Sequence, residues 1–236
     1  MYQKTRFFVT AICLTSLLTL FLNSFPKPVV AQLTQRQGLP GRRVGGGTRG
    51  ECNFSEKSLM ALIPKSNLGL AVAANPKLFF YIPQTSDSPE VEFVLNDEAG
   101  SPVYETIFKA IGTSGVVSLK LPDSTPLKIG KKYHWYLSVI CNAQDRASDV
   151  SVDGWIQRVE LSPTLASELK KAEPTKRAAV YAAADLWYVA LATLAELRLS
   201  RPNDATISAE WAQLLQSVGL ENIIQEPIYS QLPTKT

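Results

Sequence analysis

The chain has 236 residues with 24 basic and 21 acidic side chains, one histidine and three cysteines. Lys4, Arg6 and Lys27 and no acid fall within residues 1–31, so the rest of the chain carries 21 bases against 21 acids. That balance leaves no electrostatic footprint for nucleic acid, and a single histidine excludes a multi-histidine metal centre.

Lys4 and Arg6 precede a mostly apolar, uncharged run of 19 residues, Phe7 to Phe25, and Val29-Val30-Ala31 ends it with small residues. The pattern predicts a secretory signal peptide over 1–31, cleaved after Ala31. An uncleaved anchor is the competing reading, since the run approaches the length of a membrane span. Cys13, behind bulky Ile12, is a poor lipoprotein site. With the signal removed no integral span is expected, and the localisation is periplasmic or envelope-associated. Cys52 and Cys141 then remain, and in an oxidising compartment they read as a disulfide. A redox pair or metal thiolates would need a C-x-x-C or a histidine cluster.

Gln32 to Gly50 holds six glycines and four arginines with no acid, which predicts a disordered arm acting as a flexible tether. Gly45-x-Gly47-x-x-Gly50 matches a dinucleotide-binding pattern, but no strand precedes it and no helix follows to hold a pyrophosphate. No cofactor is expected.

From Leu59 to Val159 short apolar or alternating runs predict eight strands: Leu59–Ile63, Leu68–Ala73, Leu78–Ile82, Val91–Leu95, Val103–Phe108, Val116–Leu121, Tyr133–Cys141 and Val150–Val159. Pro64, Asn75-Pro76, Pro83, Asp97–Gly100, Gly112–Gly115 and Pro122 separate them. Leu127, Gly130 and Tyr133 stand at three-residue spacings ahead of the strand containing Trp135, the spacing of a tyrosine corner between two sheets. Trp155 lies in the last strand. The predicted fold class is α+β: an Ig-like antiparallel β-sandwich over 51–161, followed by a helical segment over 162–228 packed on it and a flexible tail over 229–236.

Ser162-Pro163 starts a short helix reaching about Ala172. Glu173-Pro174 opens a long one, Thr175 to Leu199, and a third, about Ile207 to Val218, ends at Gly219. On a continuous long helix Tyr181, Asp185, Tyr188 and Glu196 share one side, with Leu186, Trp187, Ala190, Leu194 and Leu197 opposite. The tyrosine side is the candidate binding surface; its alternative is a buried Asp185 satisfied by a tyrosine hydroxyl or by Arg158 or Arg177.

Other positions carry weaker signals. His134 follows the corner tyrosine and reads as a strand-face side chain with one hydrogen bond. Asp145, Asp149 and Asp153, near Asn142, lack the spacing of a calcium loop and have Arg146 among them, so no metal is expected. Glu92, Asp153 and Asp185 are the carboxylates a hydrolase could use. Trp135, Tyr136 and Trp155 would bind sugar only if exposed and coplanar.

Leu62-Ile63-Pro64, Tyr81-Ile82-Pro83, Glu92-Phe93-Val94-Leu95, Gly130-x-x-Tyr133-His134-Trp135-Tyr136, Gly154-Trp155-Ile156-Gln157-Arg158, Trp187-Tyr188-x-Ala190-Leu191 and Leu194-Ala195-Glu196-Leu197-Arg198 resemble the cyanobacterial secreted proteins of domain-of-unknown-function family 928. The resemblance runs from about Cys52 to Ile228. It departs from the family pattern at Val189, where an acid is expected. It implies the compartment and the organisation, and no reaction. The expected function is a non-enzymatic binding or scaffold module of the cell envelope, contacting another envelope protein through its helical segment. The alternative is an envelope hydrolase acting on glycan or peptide by carboxylate catalysis.

Overall fold

Strict alternation builds the larger of two sheets. In the computed structural model, which describes residues 38–46, 52, 54, 57–85, 89–110 and 112–229, every second side chain of Lys132–Val139 and most of Val150–Arg158 points into the core. The strands are β1 (Met60–Ala61), β2 (Leu68–Ala71), β3 (Lys77–Ile82), β4 (Glu90–Asn96), β5 (Pro102–Lys109), β6 (Gly115–Lys120), β7 (Lys132–Val139), β8 (Val150–Arg158) and β9 (Ile228–Tyr229). One sheet has the order β1-β3-β6-β9 and the other β2-β8-β7-β4-β5. The eight predicted strands all form, several of them shorter; β9 was not expected.

The sheets are mixed, which corrects the antiparallel expectation: β2 runs parallel to β8 and β9 parallel to β6. The reason lies between β1 and β2. A turn there, with Asn67 donating its N–H to Pro64 O at 3.0 Å and holding φ at 55°, carries the chain from one sheet to the other. It arrives beside β8 running in the same direction. A four-residue buried strand looks alike in either pairing, so the hydrophobic pattern could not distinguish them.

Phe93, Trp135, Leu137, Val152 and Ile156 project inward from the five-stranded sheet and Phe80 from the four-stranded one. Phe80 meets Trp135 edge-to-face, with centroids 5.4 Å apart. Phe79 and Tyr81, on the other face of β3, are buried as well. That face is covered rather than wetted, so β3 reads as a continuous apolar run.

Between β6 and β7 the chain crosses sheets. Gly130 takes φ 78°, a value that costs glycine little. Leu127 is buried, and the Tyr133 hydroxyl accepts the Lys128 N–H at 3.1 Å. Arg158 braces the same loop through Nη1 to Leu127 O at 2.7 Å. Tyr133→Phe is expected to lower the unfolding free energy by about 1–2 kcal/mol, one net hydrogen bond plus the desolvated amide left behind; chemical denaturation with an unchanged midpoint would show that the hydroxyl contributes nothing to the crossing.

The helices are α1 (Pro163–Lys171), α2 (Arg177–Ala183), α3 (Trp187–Ser200) and α4 (Ala205–Ser217). Ser162 caps α1 by accepting the Leu165 N–H at 3.2 Å, and Asp204 caps α4 through the amides of Thr206 and Ile207. The predicted long helix is broken: after α2 the chain leaves helical geometry, Asp185 takes φ 61°, and α3 starts afresh at Trp187. The break drives Trp187 and Tyr188 into the sandwich. Trp187 Nε1 donates to Leu62 O at 2.7 Å. Tyr188 lies against Gly69 of β2, where a Cβ would collide with the ring. Among the described residues no helix is long and apolar enough to cross a membrane.

The arm also differs from expectation over residues 38–46. Gly45 N–H bonds Leu59 O and Ala61 N–H bonds Arg43 O, while Asp153 N–H bonds Arg42 O. Arg43 reaches Val218 O at 2.7 Å, and burial lowers its pKa from the ordinary guanidinium value. This stretch therefore hydrogen-bonds to β1 in one sheet and to β8 in the other. The signal peptide, residues 32–37 and Gly47 to Gly50 of the glycine pattern lie outside the described residues.

Candidate functional site

Alternation and register together build a polar cluster on the outer face of the five-stranded sheet. His134 and Tyr136 share that face of β7, and Ser151, Asp153 and Trp155 share it on β8. The antiparallel register sets His134 opposite Trp155 and Tyr136 opposite Asp153. His134 Nε2 lies 2.7 Å from Asp153 Oδ2, and its Nδ1 lies 2.8 Å from the Tyr136 hydroxyl. The other carboxylate oxygen, Asp153 Oδ1, accepts the Arg42 N–H at 2.8 Å. The His134 ring stacks on Trp155, 4.2 Å between centroids and 13° between planes, and the Tyr136 ring lies 4.3 Å from it, tilted by 38°. Trp155 Nε1 donates to Pro40 O at 2.9 Å.

Burial and the Asp153 carboxylate both raise the Tyr136 phenol above its ordinary pKa. A protonated phenol donates to an unprotonated Nδ1, and in that tautomer the proton on Nε2 faces Asp153. Pro40, Gly41, Arg42, His134, Tyr136, Ser151 and Asp153 line an open depression of about 450 Å³. Ser151 bonds Ser138 at 2.7 Å. The arrangement commits both ring nitrogens and both carboxylate oxygens to internal partners.

The four residues expected to form a helical flank do not share a surface. Tyr188 is 1 % exposed, its hydroxyl accepting from Trp135 Nε1 at 3.1 Å and donating to Trp155 O at 3.3 Å; burial raises its pKa. Asp185 occupies the helix break, Tyr181 is half-buried against the core, and exposed Glu196 pairs with Lys77 at 2.6 Å. The break rotates Tyr188 away from where a continuous helix would place it. Cys52 and Cys141 form the disulfide. Trp135 is in the core, on the opposite face of β7 from Tyr136, and of the outer rings Trp155 stacks on His134 while Tyr136 tilts 38° to that ring. That arrangement is no coplanar platform for a sugar.

The acidic trio is also dispersed. Asp145 caps a turn through Ala147 N–H, Asp149 pairs with Arg146, and Asp153 belongs to the cluster above. Glu92 bonds Arg146 Nη2 at 2.7 Å, and these carboxylates hold the guanidinium above its ordinary pKa. Among the described residues no group of three or more potential ligands could hold a metal. Sequence reasoning took His134 alone. The i, i+2 placement of Tyr136 was the signal that could have extended it; Asp153 and Arg42 needed the register and the arm.

The fold and cluster define a two-sheet α+β sandwich with a helical segment packed on it and one outer sheet face built around a histidine. Residues 44–228 match the family model described as Domain of Unknown Function (DUF928), and the chain belongs to that family. No curated protein matches the chain.

Proposed function

We propose that the protein is an exported, non-enzymatic binding module of the cell envelope that contacts another envelope protein through the outer face of its five-stranded sheet. The observation that carries this reading is that Arg42 and Tyr136 line one open depression beside His134, which stacks on Trp155; Arg, Tyr and Trp are the residue types that most often dominate interface energies. Hydrogen bonds between Tyr136 and His134 and from Trp155 to Pro40 O fix the Tyr136 and Trp155 rings before a partner arrives, which lowers the ordering cost of binding. The sheet face replaces the helical segment as the contact surface, because Tyr188 is in the core. The disulfide and the absence of a spanning helix among the described residues are consistent with export.

We also infer that the sandwich is of the immunoglobulin type. That arrangement places A-B-E-D in one sheet and G-F-C-C′ in the other. The orders β1-β3-β6 and β8-β7-β4-β5 follow it, with β9 where D would stand, and the Tyr133 hydroxyl bond sits at the E–F corner.

The test is retention of the protein on isolated envelope fractions. The pair Arg42→Glu with Tyr136→Ala should reduce retention by about tenfold or more, with the melting temperature little changed, while Glu196→Lys on the helices should leave it intact. Equal retention of the paired variant and the wild type would remove the reading. The hydrolase alternative draws on the His134–Asp153 pair with Ser151 in the same depression; turnover of peptidoglycan or peptide by the wild type, abolished in His134→Ala, would replace binding by catalysis.

A further inference from the structure

Among the described residues, β5 is an edge of the five-stranded sheet, joined only to β4. The direction of its backbone groups follows from two hydrogen bonds beyond the ladders. Ala110 N–H bonds Pro89 O at 2.9 Å, and Ile140 N–H bonds Glu90 O at 2.9 Å. In an antiparallel ladder bonded pairs alternate. Counting on from these bonds, Tyr104, Thr106 and Phe108 turn their amides and carbonyls toward β4. Glu105, Ile107 and Lys109 turn theirs outward, while a register shift between Leu95 and Asn96 leaves Val103 as the extra residue of a bulge. These four side chains are exposed, Val103 and Ile107 each at 39 %. An edge of this kind is a template for another strand, and Pro102 removes only the first amide.

We propose that this edge pairs with β5 of a second copy of the chain, antiparallel and with Ile107 on the two-fold axis. The charges select both the partner and the register. With Ile107 opposite itself, Glu105 of each copy lies opposite Lys109 of the other, giving two opposed ion pairs flanking an apolar contact. With Glu105 on the axis two carboxylates meet, and with Thr106 there Glu105 faces Ile107 and Lys109 faces Val103. Opposite charges across a ladder stabilise it and like charges destabilise it. Only the Ile107 register satisfies every charge, and Phe108 then meets Thr106 on the inner face. The contact is isologous, so it closes at two copies. It joins two five-stranded sheets into one, with both Tyr136–His134–Asp153 faces on the same side.

The experiment is sedimentation of the full chain with a charge exchange. The wild type should sediment as a concentration-dependent dimer. Glu105→Lys places two ammonium groups opposite each other at both pairs, and Lys109→Glu places two carboxylates there. Each should weaken the dimer about tenfold or more, and the double variant E105K/K109E should restore it. Both positions are exposed, and unchanged melting temperatures would show that the variants fold. A monomeric wild type at high concentration, as expected if the edge takes a strand from a different protein, would overturn the proposal. So would single variants that dimerise as well as the wild type, or a double variant that fails to recover.

Discussion

Replacing Cys52 with serine is expected to destabilise the fold by roughly 4 to 5 kcal/mol in the chain-entropy account of a cross-link. The bridge to Cys141 spans a sequence separation of 89, and without it the unfolded chain regains that freedom. It joins the segment ahead of β1, in one sheet, to the residue two beyond the end of β7, in the other, so it also ties the layers directly. For a chain of this size the change amounts to a fall in melting temperature of roughly 10 to 15 °C. The folded circular-dichroism spectrum should be retained. Reductant should bring the wild type down to the variant and leave the variant unmoved. A melting curve that does not change under oxidising conditions would reject the bridge as a source of stability.

Trp187→Ala is expected to cost about 3–5 kcal/mol, the usual range for removing a large buried aromatic side chain. The indole is 1 % exposed and opens α3. It also donates to Leu62 O, so truncation orphans a buried carbonyl and should push the loss toward the upper end. Leu199→Ala, at a residue 44 % exposed near the other end of the same helix, should change stability by no more than about 0.5 kcal/mol. Urea unfolding of both variants measures the difference. Comparable losses at the two positions would mean that α3 is held by its own helical propensity rather than by its anchor in the sandwich.

These two residues also mark what could be read from the chain. The strands were legible because a sheet with one face in the core imposes a period of two, and Val91-Glu92-Phe93-Val94-Leu95 displays it. The start of α1 was legible at Ser162-Pro163, and the end of α4 at Gly219, which takes φ 74°. Each of these signals is local.

The features that were missed are tertiary. Nothing in Ala182-Ala183-Ala184-Asp185 resembles a helix breaker; the break forms because Trp187 and Tyr188 reach the core only from a second helix set at a new angle. Residues 38–46 have the composition of a tether, yet backbone amides can bind a sheet edge without apolar side chains, and composition does not record that. The outer-face cluster was half visible: Tyr136 follows His134 by two residues on one strand. Asp153 joins them only through the register of β7 with β8, and Arg42 only through the docked arm.

The four-stranded sheet is flanked at one edge by Val44, which bridges to Met60, and completed at the other by β9. Its borders therefore come from stretches that are made far apart in time. A nascent polypeptide lacks the second border until residue 229 has been added, so β6, once made, stays unsheltered on that side while β7, β8 and all four helices are synthesised. Of the two layers this one is therefore the last to be completed, since every strand of the other has been made by Arg158.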